Sequence, residues 1–116
     1  MADECVFCGI AAKRIKTAVQ YEDEDVLAFP DIAPRAPVHL LIIPKKHITT
    51  ANALTPEAER LAGHLLLVAA RLAQEKGCAE SGYRLIVNCN KDGGQEIFHL
   101  HVHLLGGRPL GAMVAR

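Results

Sequence analysis

From residue 99 the chain reads His99-Leu100-His101-Val102-His103-Leu104-Leu105. Strict alternation of this kind suits a β-strand, whose side chains point to opposite faces in turn. His99, His101 and His103 then share one face, stepping about 6.6 Å per two residues. Leu100, Val102 and Leu104 share the other. Such a strand belongs in a sheet that is covered on one side by apolar structure and opens on the other into a cleft or polar site. Three of the chain's six histidines on one strand face exceed what a solvated surface calls for. Two chemistries use imidazoles placed this way. One is metal chelation, since a His-x-His pair can bind zinc. The other is nucleophilic or acid–base work, for which imidazole has a suitable pKa.

The residues leading into the strand favour an anion nearby. Asp92-Gly93-Gly94-Gln95-Glu96 contains paired glycines, which let backbone N–H groups approach an anion closely. Asn88, just before this turn, carries an amide that can donate to a phosphate oxygen. A lone Gly-Gly is usually only a hairpin turn; next to three histidines it resembles an anion site with an adjacent nucleophile.

The rest of the chain predicts the frame around that strand. Residues 6–14 suit a short helix. Residues 19–22 and 26–29 suit strands about the acidic turn Glu22-Asp23-Glu24-Asp25. Three prolines within residues 30–37 make a stiff loop, which can hold a ligand contact at small entropic cost. Residues 38–44 suit a buried strand. Thr55 as N-cap and Pro56 at the first helical position open the one long helix. Leu61, Leu65, Val68, Ala69 and Leu72 give that helix an apolar stripe, and Gly77 stops it. Residues 83–88 and 98–105 suit two further strands. Strands, one long helix, then strands predict an α+β domain: an antiparallel sheet of about five strands with the long helix on one face and a short N-terminal helix.

With 116 residues, half of them hydrophobic, the chain suits one domain over 1–116 with a real core and no need of disulfides. Zero formal charge argues against non-specific nucleic-acid binding. The acidic start leads into no long apolar run, and no run approaches the ~20 residues of a membrane span. The expectation is a soluble, cytoplasmic protein whose four cysteines are thiols or metal ligands. Cys78 and Cys89 are expected to pack as small apolar residues. His39 is expected to be structural, and His64 solvent-facing or satisfied in the core.

At this point the sequence resembles the histidine triad family, whose signature alternates His with hydrophobic residues as 99–105 does. The likeness extends to Leu27-Ala28-Phe29-Pro30-Asp31-Ile32-Ala33-Pro34-Arg35-Ala36-Pro37, to Ile42-Ile43-Pro44-Lys45-Lys46-His47, to Gly82-Tyr83-Arg84-Leu85-Ile86-Val87-Asn88, and to Gly93-Gly94-Gln95. It is nearest the nucleotide-binding (Hint-type) branch. Gly106-Gly107-Arg108-Pro109-Leu110-Gly111 is similar to bacterial members.

The resemblance implies binding of purine nucleotides and hydrolysis of nucleoside phosphoramidates or acyl-nucleotides through a nucleotidyl-histidine intermediate. By the same resemblance His101 is the nucleophile, and His103 contacts the α-phosphate and helps the leaving amine depart. Asn88, Gly94 and Gln95 match positions near the phosphate, and Asp31 matches the ribose-binding acid. Val6, Phe7, Ile10, Phe29 and Ile32 would form the slot for the base. No magnesium is needed if these neutral donors and His103 balance the phosphate charge. Well-known relatives carry serine after Gly-Gly-Gln where this chain has Glu96, which either turns away or binds the substrate's amine.

Cys5 and Cys8 form a C-x₂-C pair, and a tetrahedral zinc needs two more ligands. Some histidine triad proteins supply them from positions that match His47 and His99, so the resemblance implies a structural zinc on Cys5, Cys8, His47 and His99. It also implies a homodimer. Two other readings remain: a non-catalytic nucleotide-binding regulatory module, and a dinucleoside polyphosphate hydrolase.

Overall fold

The computed structural model describes residues 4–115. A short helix α1 (Val6–Ala11) precedes strands β1 (Tyr21–Glu22), β2 (Val26–Pro30) and β3 (Val38–Pro44). The long helix α2 (Glu59–Glu75) follows, then β4 (Tyr83–Ile86) and β5 (Val102–Gly106). The five strands form one sheet in the order β1-β2-β3-β5-β4, and every pairing is antiparallel. The expected α+β class is borne out.

The sheet is apolar on both faces, which divides the interior in two. On one face Ala28, Leu40, Ile42, Val102 and Leu104 pack against Leu65, Val68, Ala69 and Leu72 of α2. On the other, Leu27, Phe29, Leu41 and Ile43 pack against Phe7 and Ile10 of α1. Period-two alternation along β2 and β3 assigns successive residues to these faces. The expected stripe on α2 points inward, with Leu61 half-buried at its edge. Gly77, with φ of 77°, ends the helix: Cys78 N–H reaches Ala73 C=O at 3.0 Å and Gly77 N–H reaches Gln74 C=O at 3.1 Å. That is the paired closure a left-handed C′ residue permits.

Several boundaries differ from expectation. Thr55-Pro56 opens a 3-10 turn (Pro56–Ala58) without a side-chain cap, and α2 itself begins at Glu59. The first helix stops at Ala11, and Lys13 takes φ of 66°. The first strand begins at Tyr21 rather than residue 19. The histidine segment is the largest difference, since regular pairing begins only at Val102, opposite Ile42. Two residues further along β3 stands Pro44, which has no N–H to offer a ladder. Leu100 N–H bonds instead to Ile48 C=O at 2.6 Å, outside the sheet. β4 is shortened for the same reason: Ile86 pairs with His103, and residues 87–88 pair with no strand among the described residues. Inward and outward alternation persists through this irregular stretch, because Leu100 still joins the α2 core with Val102 and Leu104.

Candidate functional site

The face away from α2 carries a cavity of ≈ 890 Å³, within the ~300–1,000 Å³ typical of small-molecule sites. Its floor comes from the sheet and α1: Phe7, Ile10, Phe29 and Leu41 line it. Phe7 meets Phe29 edge-on with ring centroids 5.4 Å apart, and meets His101 at 5.1 Å. Val6 and Ile32 form the rim, and Ile32 is wholly exposed. The two buried rings and the exposed isoleucine make this part of the lining apolar. Polar groups complete the lining: Asp31, Lys16, Arg35, Asn88, Gly94, Glu96, His101 and His103.

The turn between β4 and the histidines is tightly tied. Asn88 Nδ2 donates to Gly93 C=O at 2.6 Å. A Cβ on Gly93 would lie 2.5 Å from Cys89 C=O, so only glycine fits there. Gly94 has φ of 76°, in the left-handed region that glycine enters freely. Gln95, expected near the phosphate, sits in the turn beside Gly94 and does not itself line the cavity. Its amide is buried, accepting from Asn90 N–H at 2.9 Å and donating to Thr49 C=O at 2.9 Å and Ile97 C=O at 3.0 Å. It shapes the turn from beneath. Glu96 is exposed and belongs to the cavity lining.

Each triad imidazole is held by one nitrogen. His99, fully buried, has Nε2 at 2.8 Å from Pro44 C=O. A carbonyl can only accept, so Nε2 carries the proton and Nδ1 keeps its lone pair. His101 has Nδ1 at 2.7 Å from His99 C=O, which by the same reasoning leaves the lone pair on Nε2. Among the described residues no buried side-chain nitrogen or oxygen lacks a partner. Nε2 of His101, bonded to nothing, therefore opens to the cavity. The His101 and His103 rings lie 4.9 Å apart. Burial first, then the neighbouring His101 and His39, push the His103 pKa down to about 4. His103 is therefore uncharged at neutral pH.

His39 was expected to be only structural, yet it belongs to this site. Its Nε2 lies 3.0 Å from His103 Nδ1 and 3.3 Å from Asp31 Oδ2. The alternation of β3 carried the signal: His39, Leu41 and Ile43 share the face opposite α2, and Leu41 pairs with His103. Only knowledge that β3 and β5 are neighbours makes that signal legible. His64 pairs instead with Asp23, Nε2 to Oδ2 2.6 Å, on the far side of the molecule where α2 meets the β1–β2 turn.

A second cluster sits beside the first. Cys8 Sγ lies 3.1 Å from His47 Nδ1, and His99 Nδ1 lies 3.4 Å from Cys5 Sγ and 3.5 Å from Cys8 Sγ. All four donor atoms fall within 4.8 Å of one another. Zinc–sulfur and zinc–nitrogen bonds of about 2.0–2.3 Å in a tetrahedron require donor separations of roughly 3.3–3.8 Å. The arrangement fits a closed S₂N₂ zinc site, and the lone pair on His99 Nδ1 points at it. No cysteine among the described residues is in a disulfide.

Comparison with known proteins bears on both clusters. The HIT domain family profile matches residues 12–110. The chain is 50% identical over 115 residues to the purine nucleoside phosphoramidase of Escherichia coli (strain K12), covering 99% of this chain and 97% of that one. Among solved structures, a HIT family hydrolase from Legionella pneumophila superposes with a TM-score of 0.91 at 51% identity, over 93% of this chain and 96% of that one. A zinc-bound histidine triad family protein from Mycobacterium smegmatis superposes with a TM-score of 0.81 at 30% identity, over 100% of this chain and 84% of that one.

Proposed function

This chain belongs to the HIT domain family, and on that premise we propose that it hydrolyses purine nucleoside phosphoramidates or acyl-nucleotides to the nucleoside monophosphate. The observation that carries the reading is the open Nε2 of His101, fixed as a lone pair by the Nδ1 bond to His99 C=O. It faces the cavity beside Asn88 and Gly94.

The reaction runs in two displacements. His101 Nε2 attacks phosphorus, and the bond from phosphorus to the leaving nitrogen breaks as that nitrogen takes up a proton and departs as the amine. The nucleotide is left on the imidazole. Water then attacks the same phosphorus and loses a proton, the phosphorus–Nε2 bond breaks, and the monophosphate leaves with His101 restored. The sum is phosphoramidate plus water giving monophosphate plus amine, split into two lower barriers. Uncharged His103 serves as a hydrogen-bond donor to a phosphate oxygen, and its rigidity supplies stabilisation without reorganisation. The second N–H of Asn88 Nδ2 acts beside it, while the N–H groups of Gly94 and Gln95 are bonded within the turn to Lys91 C=O and Asn90 C=O, each at 3.0 Å, and so shape it; on this reading no magnesium is required. Gln95 contributes by holding that turn.

Asp31 accepts the ribose hydroxyls, and Phe7, Phe29 and Ile32 enclose the base. Glu96 reads the amine-bearing leaving group from the open end of the cavity. Cys5, Cys8, His47 and His99 hold a structural zinc, which would lock α1 onto the sheet. A single domain over 1–116 acts as a homodimer in the cytoplasm. Exposed Leu66 and Leu67 on α2 and the open edge of β4 are in keeping with pairing. None of the described helices is long and apolar enough to cross a membrane.

Intact mass after brief exposure to a slowly cleaved adenosine phosphoramidate tests the reading. An adenylate-sized adduct mapped to His101 is expected. Turnover with the adduct on another residue would overturn the nucleophile assignment. AMP binding without turnover would favour a binding module.

A further inference from the structure

Arg35, His39 and His103 form a directional chain of hydrogen bonds. The Arg35 backbone N–H donates to His39 Nδ1 at 3.1 Å. A backbone amide cannot accept, so Nδ1 carries the lone pair and Nε2 of uncharged His39 carries the proton. That Nε2 faces two atoms, His103 Nδ1 at 3.0 Å and Asp31 Oδ2 at 3.3 Å. Whichever of them takes the larger share of the proton, His103 Nδ1 cannot also hold one without opposing two N–H groups. The proton of His103 is therefore on Nε2, which bonds nothing among the described residues and opens to the cavity.

We infer that His39 is a positioning residue that fixes the tautomer of His103, so that its Nε2–H is permanently presented to the phosphate of the bound substrate. Without His39 the two neutral tautomers of His103 are nearly equal in energy. A His103 with its proton on Nδ1 would aim a lone pair at an anionic oxygen. Pre-setting the donor removes that population and its repulsion, as preorganised donors do elsewhere. Asp31 takes part from the other side. Its Oδ1 is held by Ala33 N–H at 2.8 Å, and its Oδ2 shares the His39 proton. The acid assigned to the ribose and the donor assigned to the phosphate thus meet at one imidazole.

The same geometry disposes of another use for these groups. Asp31, His39 and His103 lie close enough together to suggest a metal site. A metal on His39 Nε2 would displace the ring's only N–H proton to solvent and leave an imidazolate with a bare Nδ1, whereas a metal-bound imidazole usually keeps an N–H there to anchor the ring. Here Nδ1 is an acceptor, so Nε2 is a donor and not a ligand.

The inference rests on the phosphoryl-transfer reading for its consequence but not for its first test. In ¹⁵N-histidine spectra of the whole protein, with His103 signals assigned by their loss in His103→Asn, His103 should show a protonated Nε2 and a bare Nδ1. His39→Leu should shift those signals toward a tautomer mixture. His39→Gln, whose amide can still donate at the Nε2 position, should keep the wild-type pattern. With an adenosine phosphoramidate, His39→Leu should lower kcat about tenfold and weaken AMP binding severalfold, since AMP offers the same phosphate oxygens to His103. His39→Gln should recover most of the rate. A wild-type His103 protonated on Nδ1, or Leu and Gln variants alike in both spectrum and rate, overturns the inference. A wild type with the expected spectrum but no turnover would instead count against the proposed function.

Discussion

The Nδ1 of His101 stands 2.7 Å from the main-chain oxygen of its own neighbour His99, so the backbone of one triad histidine orients the ring of the next. A nucleophile held this way needs no carboxylate to set its tautomer, and the lone pair on Nε2 is ready before substrate arrives. His101→Asn should lower kcat toward adenosine phosphoramidates by at least about a thousandfold, while AMP affinity, measured by calorimetry, stays within about tenfold. Retention of a tenth of the rate would remove His101 from the reaction.

Zinc at the cysteine cluster should show in stability rather than in chemistry. Protein purified without added metal is expected to contain one zinc per chain. Chelation, or Cys8→Ser, should lower Tm, because metal-binding energy is folding energy when the site forms only in the native state. Elemental analysis with thermal melts checks this. No bound zinc, with Cys5 and Cys8 fully alkylated in the native protein, would dismiss the site.

Asp23 ties the β1–β2 turn to α2. It accepts from Asp25 N–H at 2.8 Å and Val26 N–H at 2.9 Å, and from Tyr21 Oη–H at 2.7 Å. Burial alone would raise its carboxyl pKa, but the bonds from His64, Tyr21 and those two amides hold it well below the usual carboxylate range. A depressed carboxylate contributes stability above its unfolded pKa of about 4 and loses it as pH falls toward the folded value. Asp23→Asn should therefore cost about 1–2 kcal/mol at pH 7, and the deficit should shrink in melts taken below about pH 4. A pH-independent deficit would contradict the assignment.

Gly93 has no room for a side chain, since a Cβ would lie 2.5 Å from Cys89 C=O and 2.8 Å from Cys89 N. Because both are backbone atoms, relief must come from moving the turn. Gly93→Ala should destabilise the fold by roughly 1–3 kcal/mol and lower kcat/KM through displaced Asn88 and Gly94. Denaturant titration and steady-state kinetics measure the two effects.

Glu96 lies on the cavity wall with no hydrogen-bond or ion-pair partner among the described residues. Glu96→Gln should raise KM severalfold for phosphoramidates whose leaving group carries a second, cationic amine. It should leave neutral leaving groups unchanged, as expected for an exposed charge pair of about 0.2–1 kcal/mol. Equal effects on both substrate types would count against this role.

Local pattern and covalent constraint were enough to define much of this molecule from sequence. The alternation at 99–105 indicated which residues face the α2 core and which face the site. Gly77 marked the end of α2, and the leucine spacing marked its buried stripe. Those features depend on neighbours within a few positions, whose geometry the chain itself dictates. What the tertiary structure decided involves segments far apart in sequence. The regular part of the last strand starts at Val102 because the strand beside it ends in Pro44, and no local signal at residue 99 reports that partner. The resemblance set Gln95 near the phosphate, and only the fold shows that its amide is bonded to Thr49, Asn90 and Ile97 beneath the turn. His39, sixty-four positions from His103, entered the site only when pairing of β3 with β5 set their rings 3.0 Å apart. A tautomer is a property of which donor meets which acceptor, and that is settled by packing of the whole sheet rather than by any one stretch of it.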